Sequence, residues 1–596
     1  MKELAYINKY FWKYKWHLSI GFCFVVLSNF FKVLQPQVVR YALDLVFENI
    51  ELYRQYDGFQ SQADLYNILG QTLLLFGAIV LILALIMGVF MYFMRQTIIV
   101  MSRLIEYDMR SEIFKHYEKL SLAFYKRNNT GDLMARITED VSKVRMYIGP
   151  AIMYSINLVS LTTLVIISML SVSVELTFYA LLPLPLLSFS IYYVSSIINQ
   201  KSTEIQAQLA TLNSTAQEVY SGIRVVKSYV QELPMGGFFK SQSEDYKDKT
   251  MGLAKVQAMF FPLMLLLVGA STIITIYVGG LLVAKGTVTP GNIAEFVIYV
   301  NMLTWPVTAL GWVASIIQSA AASQKRINEF LNEAPDIVSP TDEFTKLAGA
   351  IEFDKVTFTY PHTGITALKD VSFKLDPGDK MAIVGRTGSG KTTLADLLLR
   401  MYDVTNGVIK LDSKDVKTLS LASLRKNIGY VPQDVFLFSN TIAKNVAFGK
   451  DDATQSEIEN YTKYASVYED IAGFPEGFET LVGERGVTLS GGQKQRISIA
   501  RALIKQPNIL ILDDALSAVD TTTEQRILGY LENELADKTA IIITHRIYSL
   551  LEFDKIIVLD EGRIAEIGTH QELLANKGFY YELFEKQKLE DEVVSG

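Results

Sequence analysis

Phosphate-binding chemistry is best supported by a glycine-rich stretch in the second half of the chain. Its residues are Gly385, Arg386, Thr387, Gly388, Ser389, Gly390, Lys391, Thr392 and Thr393. The stretch follows an apolar run at 381–384 that predicts a strand, and it opens a helical segment at 394–400. In such a loop, glycines let backbone N–H groups surround phosphate oxygens, the lysine adds a cation, and the Thr392 hydroxyl is a ligand for Mg²⁺. The order of strand, loop and helix therefore predicts a site for ATP and Mg²⁺ rather than a chance glycine-rich turn.

Two carboxylates follow a second apolar run, at 508–512. The carboxyl ends of parallel strands meet at one edge of a sheet, so Asp513 and Asp514 are expected beside the phosphate loop. We predict that Asp513 holds Mg²⁺ through water and that Asp514 orients the attacking water. An acidic pair at a strand end is usually a solvated turn, and the phosphate loop upstream is what favours the catalytic interpretation.

A serine- and glycine-rich segment lies between these two sites and precedes a predicted helix at 494–504. It consists of Leu489, Ser490, Gly491, Gly492 and Gln493, and it ends twenty residues before Asp513. Together with the phosphate loop and the strand before Asp513, it resembles the signature motif of ABC transporters. The resemblance implies that this segment closes over ATP held by a second copy of the nucleotide-binding domain.

Further motifs resemble the same family, in the family's order. Tyr360 matches the aromatic residue that stacks on adenine, Gln433 the loop glutamine that links Mg²⁺ to the membrane part, and His545 the switch histidine. The D-loop is matched by Ser517, Ala518, Val519 and Asp520. Segments 124–136 and 222–227 are similar to the intracellular loops of exporter-type members, and 480–486 to their cross-linking loop. The resemblance implies that Asp514, His545 and Gln433 are catalytic, and that Thr392, Gln433 and Asp513 hold the metal.

The apolar runs that predict a membrane domain all lie in the first part of the chain, at 1–325. Five charge-free stretches are long enough to cross a bilayer, which takes about 20 residues; they lie at 65–94, 146–174, 176–200, 256–284 and 296–324. A sixth, at 17–39, is interrupted by Lys32. Six spans are predicted, with a tight turn at Glu175 between the third and fourth. Lys32 is expected either to line a cavity or to reach the membrane surface along its own stem.

The distribution of charge predicts how the spans are oriented. Lys and Arg are concentrated at 95–145 and 201–255, which places these segments and both termini in the cytoplasm. Both segments have apolar positions at helical spacing, so the spanning helices are expected to continue beyond the membrane. The net charge of −7 gives no basic surface for nucleic acid, so none is expected as a partner. The single cysteine, Cys23, lies in an apolar run and is expected to be buried.

The elements that must position the phosphate-binding residues begin near residue 341, where β-branched runs alternate with amphipathic helices. A chain of 596 residues exceeds one ordinary domain. We predict an all-α six-helix transmembrane domain at 1–325, a linker at 326–345 and a nucleotide-binding domain at 346–590. The last is expected to be an α/β P-loop NTPase domain with a helical signature subdomain.

The order of the two domains resembles that of bacterial multidrug and lipid exporters. It implies ATP-driven export or flipping of amphipathic small molecules, drugs or lipids across the cytoplasmic (inner) membrane by a dimer. The alternative is a nucleotide-gated, channel-like subunit; an uptake subunit is disfavoured because no extracytoplasmic binding domain is recognised. Efficient exporters carry Glu where this chain has Asp514, which favours a heterodimer with a Glu-bearing second half-transporter. Because His545 is retained, a slow homodimer stays open, and the sequence does not identify the substrate.

Overall fold

Long helices build the first part of the chain, because an apolar segment in lipid must satisfy its backbone N–H and C=O groups internally. The computed structural model describes residues 2–55, 58, 61–483, 489–534, 537–545 and 553–595. The helices of this part are α1 (Asn8–Lys13), α2 (Lys15–Gln55), α3 (Ser61–Lys119), α4 (Leu122–Arg127), α5 (Thr130–Ala135), α6 (Val141–Met146), α7 (Ile152–Val172), α8 (Val174–Leu181), α9 (Pro183–Ser221), α10 (Ile223–Ser228), α11 (Glu232–Ala284) and α12 (Pro290–Leu331). A 3-10 helix at Lys2–Ile7 and π turns at Arg136–Asp140 and Tyr147–Ala151 complete it.

Five helical stretches in the described part of the chain are long and apolar enough to cross a membrane. They are Lys15–Ile50, Gln62–Lys119, Thr130–Val172, Glu232–Ala284 and Pro290–Leu331. The predicted fourth span, at 176–200, is divided between α8 and α9, which meet at Leu182 just before Pro183. The turn predicted at Glu175 lies instead at Ser173, whose side chain accepts the N–H of Leu176 and caps α8. The chain is therefore a multi-pass membrane protein.

The spanning helices continue past their charge-free stretches, in agreement with the sequence prediction. Helix α3 continues from Met94, where its charge-free stretch ends, to Lys119. Helix α11 begins at Glu232, well before its charge-free stretch starts at Val256. At about 1.5 Å per residue, each extension is about 36 Å long. Within this part α9 packs along α11, and α2 packs against α7 and α12.

The expectation that Cys23 is buried was wrong, because its side chain is exposed on α2. Gly21 and Val25, four residues apart, form the packed face of this helical turn. Cys23 lies midway between them in sequence and therefore points to the other side of the helix. An apolar run in a spanning helix does not by itself say which of its residues is packed inside.

Two sheets form the second part of the chain. The strands are β1 (Ile351–Thr359), β2 (Thr366–Leu375), β3 (Lys380–Gly385), β4 (Asn406–Leu411), β5 (Lys414–Asp415), β6 (Ile428–Val431), β7 (Ile509–Asp513), β8 (Thr539–Ile543), β9 (Lys555–Asp560) and β10 (Arg563–Gly568). One sheet is antiparallel, in the order β2-β1-β4-β5. The other has the order β10-β9-β3-β8-β7-β6, in which all neighbours are parallel except β10 and β9. The parallel strands are buried on both faces, as their continuous apolar runs predict.

The helices of this part are α13 (Lys391–Leu398), α14 (Leu421–Asn427), α15 (Ile442–Ala447), α16 (Gln455–Tyr464), α17 (Tyr468–Ala472), α18 (Gly491–Leu503), α19 (Thr521–Glu534), α20 (His570–Asn576) and α21 (Phe579–Ser595), with a 3-10 turn at Gly477–Glu479. One hydrophobic core joins both sheets to α13 through side chains such as Phe353, Met381 and Leu394. A second core, around Ile497 of α18, contains side chains from all five helices α15 through α19, packed against strands β6, β7 and β8. The α/β fold predicted for this part is confirmed.

The chain divides into two compact units, and each unit is made of two segments that are separate in sequence. The first unit is Met1–His116 with Gly131–Glu333, and the second is Tyr117–Thr130 with Ala334–Gly596. Helix α4 belongs to the second unit because its Ala123 is buried in the core that contains Phe353. Helix α12 continues to Leu331, so the first residues assigned to the linker are helical.

Candidate nucleotide-binding site

The phosphate loop joins β3 to α13 through backbone conformations that require glycine. Gly388 and Gly390 have φ angles of 80° and 103°, in the left-handed region that side chains with a Cβ disfavour. A Cβ at Gly390 would also lie 2.5 Å from the carbonyl oxygen of Ala367. Without side chains at these positions, a bound group can approach the loop's backbone closely. The last glycine, Gly390, is the N-cap of the eight-residue helix α13.

The lysine of the loop is folded onto the loop's own carbonyl groups. Lys391 Nζ donates to the carbonyl oxygens of Gly385 at 2.7 Å and Arg386 at 2.9 Å, and the residue is 7% exposed. Burial lowers the pKa of Lys391, while the carboxylates of Asp513 and Asp514 act in the opposite direction. These two carboxylates favour the charged ammonium, which is the form that pairs with phosphate oxygens.

Asp513 ends β7 with one carboxylate oxygen that has no hydrogen-bond partner. The residue is 1% exposed, and its Oδ2 is buried without a donor in the described structure. Burial raises the pKa of Asp513, and a hydrogen bond with Thr392 lowers it in part. An unpartnered buried carboxylate oxygen is costly, and Mg²⁺ prefers hard oxygen ligands of this kind. The pair Asp513 and Thr392 fits a bound magnesium ion.

Asp514 is held in an unusual conformation by four hydrogen bonds to its backbone, one of them from the Ser517 N–H to its carbonyl at 3.3 Å. Its φ is 49°, in the left-handed region that Asp tolerates better than most residues. Its N–H donates to the Ile543 carbonyl at 2.8 Å. Its own carbonyl accepts from Ser517 Oγ at 2.9 Å and from Gln495 Nε2 at 3.4 Å. The direction of its side chain is therefore set by the neighbouring strand and by the segment that follows.

His545 lies two residues after β8, near the same two charged groups. Burial lowers the pKa of His545, the Lys391 ammonium lowers it further, and the Asp514 carboxylate opposes the change. The lowered pKa favours the neutral imidazole, which has one N–H to donate. Its backbone carbonyl accepts a hydrogen bond from the side chain of Gln587 on α21.

One cavity of about 780 Å³ gathers most of the residues predicted to bind ATP or Mg²⁺ or to act in hydrolysis. Its lining includes Tyr360, Thr387, Gly388, Gly390, Lys391, Thr392, Thr393, Gln433, Asp513, Asp514 and His545. The Tyr360 hydroxyl is 2.9 Å from Thr393 Oγ1, and its ring contacts Tyr402 edge to face with centroids 5.4 Å apart. A large polar cavity beside a phosphate loop and an aromatic wall has the shape and chemistry for a nucleotide.

The signature segment and the D-loop do not line this cavity among the described residues; they pack on each other instead. Ser490 caps α18 by accepting the Gln493 N–H, and the Gln493 side chain accepts the Ser490 N–H in return. A Cβ at Gly492 would lie 2.8 Å from the Ala518 carbonyl. The N-terminus of α18 is thus outside the described lining of the domain's own nucleotide cavity.

Four residues that sequence reasoning missed contribute to the site. Lys126, Asp396 and Tyr402 line the cavity. Burial, with the Asp513 carboxylate, raises the pKa of Asp396 to about 6, and Lys126 opposes the shift. The fourth, Gln495, is 7% exposed and bridges α18 to the D-loop: its Oε1 accepts the Ala518 N–H at 3.0 Å, and its Nε2 donates to Ser517 Oγ at 3.1 Å. The available signals were a lone Asp in the apolar helix after the loop and a glutamine on the buried face of α18.

Two other predictions, on the cross-linking loop and Lys32, concern residues that are not among the described lining of the nucleotide cavity. Residues 484–486 of the predicted cross-linking loop lie outside the described residues. Lys32 is half-buried on α2, and no described residue forms an ion pair or hydrogen bond with it.

Comparisons with known proteins agree over both halves of the chain. The family model "ABC transporter transmembrane region" matches residues 18–307, and the model "ABC transporter" matches residues 368–517. The chain is 37% identical to the "Probable multidrug resistance ABC transporter ATP-binding/permease protein YheI" of Bacillus subtilis (strain 168), over 99% of this chain and 98% of that protein. It is 35% identical to the "Multidrug resistance-like ATP-binding protein MdlA" of Escherichia coli (strain K12), over 99% and 97%. Among solved structures, "a bacterial Atm1-family ABC exporter with ATP bound" matches with a TM-score of 0.76 and 26% identity, over 96% of this chain and 98% of that one.

Proposed function

This chain belongs to the ABC transporter family and is an ATP-hydrolysing exporter half-transporter, and we propose that it moves amphipathic small molecules, drugs or lipids out of the cytoplasm. It joins a multi-pass membrane region to one nucleotide-binding domain, and half-transporters of this kind dimerise. The proposed location is the cytoplasmic membrane with both termini in the cytoplasm, because Lys and Arg are concentrated at 95–145 and 201–255.

The observation that carries the proposal is the cavity in which Lys391, Asp513, Asp514 and His545 come together. These side chains arrive from three parallel strands, β3, β7 and β8, whose carboxyl ends share one edge of the sheet. Phosphoryl transfer needs positioned cations and a positioned water more than covalent chemistry. The cavity offers both to a triphosphate.

Each of these residues has a proposed role in hydrolysis. Lys391 pairs with the β- and γ-phosphate oxygens once it leaves the loop carbonyls. Asp514 accepts a hydrogen bond from the attacking water and sets its direction. The neutral imidazole of His545 donates its N–H to the γ-phosphate, and Tyr360 stacks on adenine.

Mg²⁺ is proposed as the metal, held by Thr392, Gln433 and Asp513. When bound, it neutralises charge on the phosphate oxygens. The unpartnered Oδ2 of Asp513 supports this assignment. In the described part of the chain no cluster of three His, Cys, Asp or Glu side chains offers another metal site.

A dimer is proposed to complete the site, because the signature segment is not part of the described lining of its own cavity. Backbone N–H groups at the N-terminus of α18 form an anion site that is suited to the γ-phosphate of ATP on a second half-transporter. ATP then binds the closed pair better than the open one and shifts the equilibrium between them. We propose a heterodimer, with a partner that carries Glu at the position of Asp514; a slow homodimer is the competing arrangement.

Transport in inverted membrane vesicles tests the proposal against a channel-like subunit. ATP-dependent accumulation of a fluorescent amphiphile against its gradient is expected, together with loss of accumulation when ATP is replaced by a non-hydrolysable analogue. ATP-dependent conductance without accumulation would favour the nucleotide-gated subunit instead. The same vesicles serve both measurements.

A further inference from the structure

A second cavity, of about 530 Å³, lies in the first unit between α3, the π turn at Tyr147–Ala151, α7 and α12. Its lining is mostly apolar, with Ile99 and Val100 on α3, Met153 and Tyr154 on α7, and Trp312 on α12. The rings of Tyr154 and Trp312 meet edge to face, with centroids 5.3 Å apart. This volume is within the range of small-molecule sites, roughly 300–1,000 Å³.

One charged side chain lines this cavity in the described part of the chain, that of Arg95. No described residue forms an ion pair or hydrogen bond with its guanidinium, and the side chain is exposed. By contrast, Arg103 and Arg110, further along the same helix, are paired with Glu106 at 3.0 and 2.8 Å. The guanidinium of Arg95 thus lies beside Tyr154 and Trp312 with none of its N–H groups bonded to a described residue.

The position of Arg95 along α3 gives the cavity a depth in the membrane. Arg95 is the first charged residue after the charge-free stretch at 65–94. With the proposed orientation, it lies at the headgroup level of the cytoplasmic leaflet, and the apolar lining is beside the acyl chains. An amphiphile in that leaflet can therefore place its head at the guanidinium and its tail against the aromatic residues.

The wall opposite Arg95 departs from regular helix. Pro150 lies inside the π turn, and a proline there lacks the N–H that a continuous helix would use. π turns are found mostly as single turns within longer helices, frequently at functional sites. In the same turn, a Cβ at Gly149 would lie 2.7 Å from Ser102 Oγ of α3. The π turn is therefore closely packed against α3 beside the cavity.

We propose that this cavity binds the transported amphiphile by an anionic headgroup, a carboxylate, sulfate or phosphate, held by the guanidinium of Arg95. This inference rests on the proposed function, which it narrows to a substrate class. Guanidinium pairs with such oxyanions through two parallel hydrogen bonds. A cationic headgroup would meet Arg95 with no carboxylate in the described lining to compensate for the repulsion.

Trp312 allows the proposal to be tested by binding, independently of transport. The chain has four tryptophans, and replacing Trp12, Trp16 and Trp305 with Phe leaves Trp312 as the reporter. The full chain in phosphatidylcholine nanodiscs is titrated with a brominated alkyl sulfate and with a brominated alkyl trimethylammonium of equal chain length. We expect the sulfate to quench Trp312 fluorescence at about tenfold lower concentration, as a charge-assisted contact allows.

Matched variants separate the guanidinium from general charge. Arg95→Gln is expected to remove the preference for the sulfate, whereas Arg103→Gln, which alters an arginine outside the cavity lining, is expected to leave it unchanged. An unchanged far-UV circular dichroism spectrum and a single gel-filtration peak for each variant report correct folding. Equal quenching by both amphiphiles, or an Arg95→Gln variant that keeps the preference, would overturn the proposal.

Two further arms identify the occupant. Inorganic phosphate at the concentration of the alkyl sulfate is expected not to compete, because it lacks the apolar tail. Phosphatidylglycerol in the nanodisc, which has an anionic phosphate headgroup and acyl chains, is expected to compete with the alkyl sulfate. Complete competition by inorganic phosphate would overturn the assignment to an amphiphile. Since quenching requires no hydrolysis, loss of transport with intact selective binding would count against the proposed function alone.

Discussion

The side-chain amide of Gln433 lies 3.5 Å from Oδ2 of Asp514. This contact joins the loop after β6 to the residue after β7, which are neighbouring strands. Gln433 is a proposed metal ligand and Asp514 the proposed director of water, so the amide is placed to affect both. The backbone of Asp514 is held in the left-handed region, and its side chain is one methylene shorter than that of Glu.

The length of the side chain at 514 is expected to limit the rate of hydrolysis. Asp514→Glu adds one methylene and should move the carboxylate about 1 Å closer to the attacking water, and a misplacement of that size costs on the order of 100-fold in rate. Steady-state ATPase activity of the purified chain should therefore rise towards that factor, and Asp514→Asn should abolish the remainder. A rate that does not change in Asp514→Glu, in a stable and active homodimer, would contradict the unequal-partner proposal.

The carboxyl of Asp396 is expected to make ATP affinity depend on pH near 6. Burial raises its pKa to about 6, so the group is neutral below that pH and negatively charged above it. A negative charge in the cavity weakens binding of a polyanion, so affinity should fall as pH rises from 5 to 7. Asp396→Asn removes this contribution; the ratio of the two proteins' affinities for a fluorescent ATP analogue isolates it from the titration of the nucleotide. A constant ratio across this range would show that Asp396 does not titrate there.

Gln495 is expected to act on hydrolysis through the backbone at Asp514 and Ala518. Gln495→Ala removes three hydrogen bonds, to the Asp514 carbonyl, Ser517 Oγ and the Ala518 N–H, each worth about 0.5–1.5 kcal/mol. It should lower the ATPase rate about tenfold while ATP affinity is retained. Lys494→Ala is the control, since no described residue forms a hydrogen bond with the Lys494 side chain. An equal fall in ATPase rate in Gln495→Ala and Lys494→Ala would mean that the hydrogen bonds of Gln495 to the D-loop have no specific role in hydrolysis.

Lys32 tests whether the first span contributes to substrate recognition. If its ammonium lines a cavity, Lys32→Ala should reduce transport of anionic amphiphiles and leave basal ATPase activity intact. Lys32→Arg keeps the charge and should keep the transport. Unchanged transport in Lys32→Ala would indicate that the side chain reaches the membrane surface instead.

The parts of the site that depend on local pattern could be predicted from sequence. The strand before the phosphate loop and the strand before Asp513 form from continuous apolar runs, and both strands were predicted at the correct place. Contacts over long sequence distance could not be predicted in this way. Lys126 lies far before the phosphate loop in sequence, and it lines the cavity because α4 packs with the second unit.

Side-chain orientation was also beyond the sequence. An apolar run predicts a helix, but which face is packed depends on the neighbouring helices, as the exposed Cys23 illustrates. The cap at Ser173 required a β-region φ/ψ that no periodicity reveals.

The central claim, that ATP hydrolysed in this cavity drives export, is tested most directly by Lys391→Ala in proteoliposomes. ATP hydrolysis and uptake of a fluorescent amphiphile are measured in the same vesicles, with and without a Glu-bearing partner, and Lys391→Arg keeps the charge as the matched control. Loss of the cation that faces the β- and γ-phosphates should abolish ATP-dependent uptake in the Ala variant, and uptake should follow hydrolysis across the series. Uptake at the unmodified rate in Lys391→Ala, with or without the partner, would contradict the account.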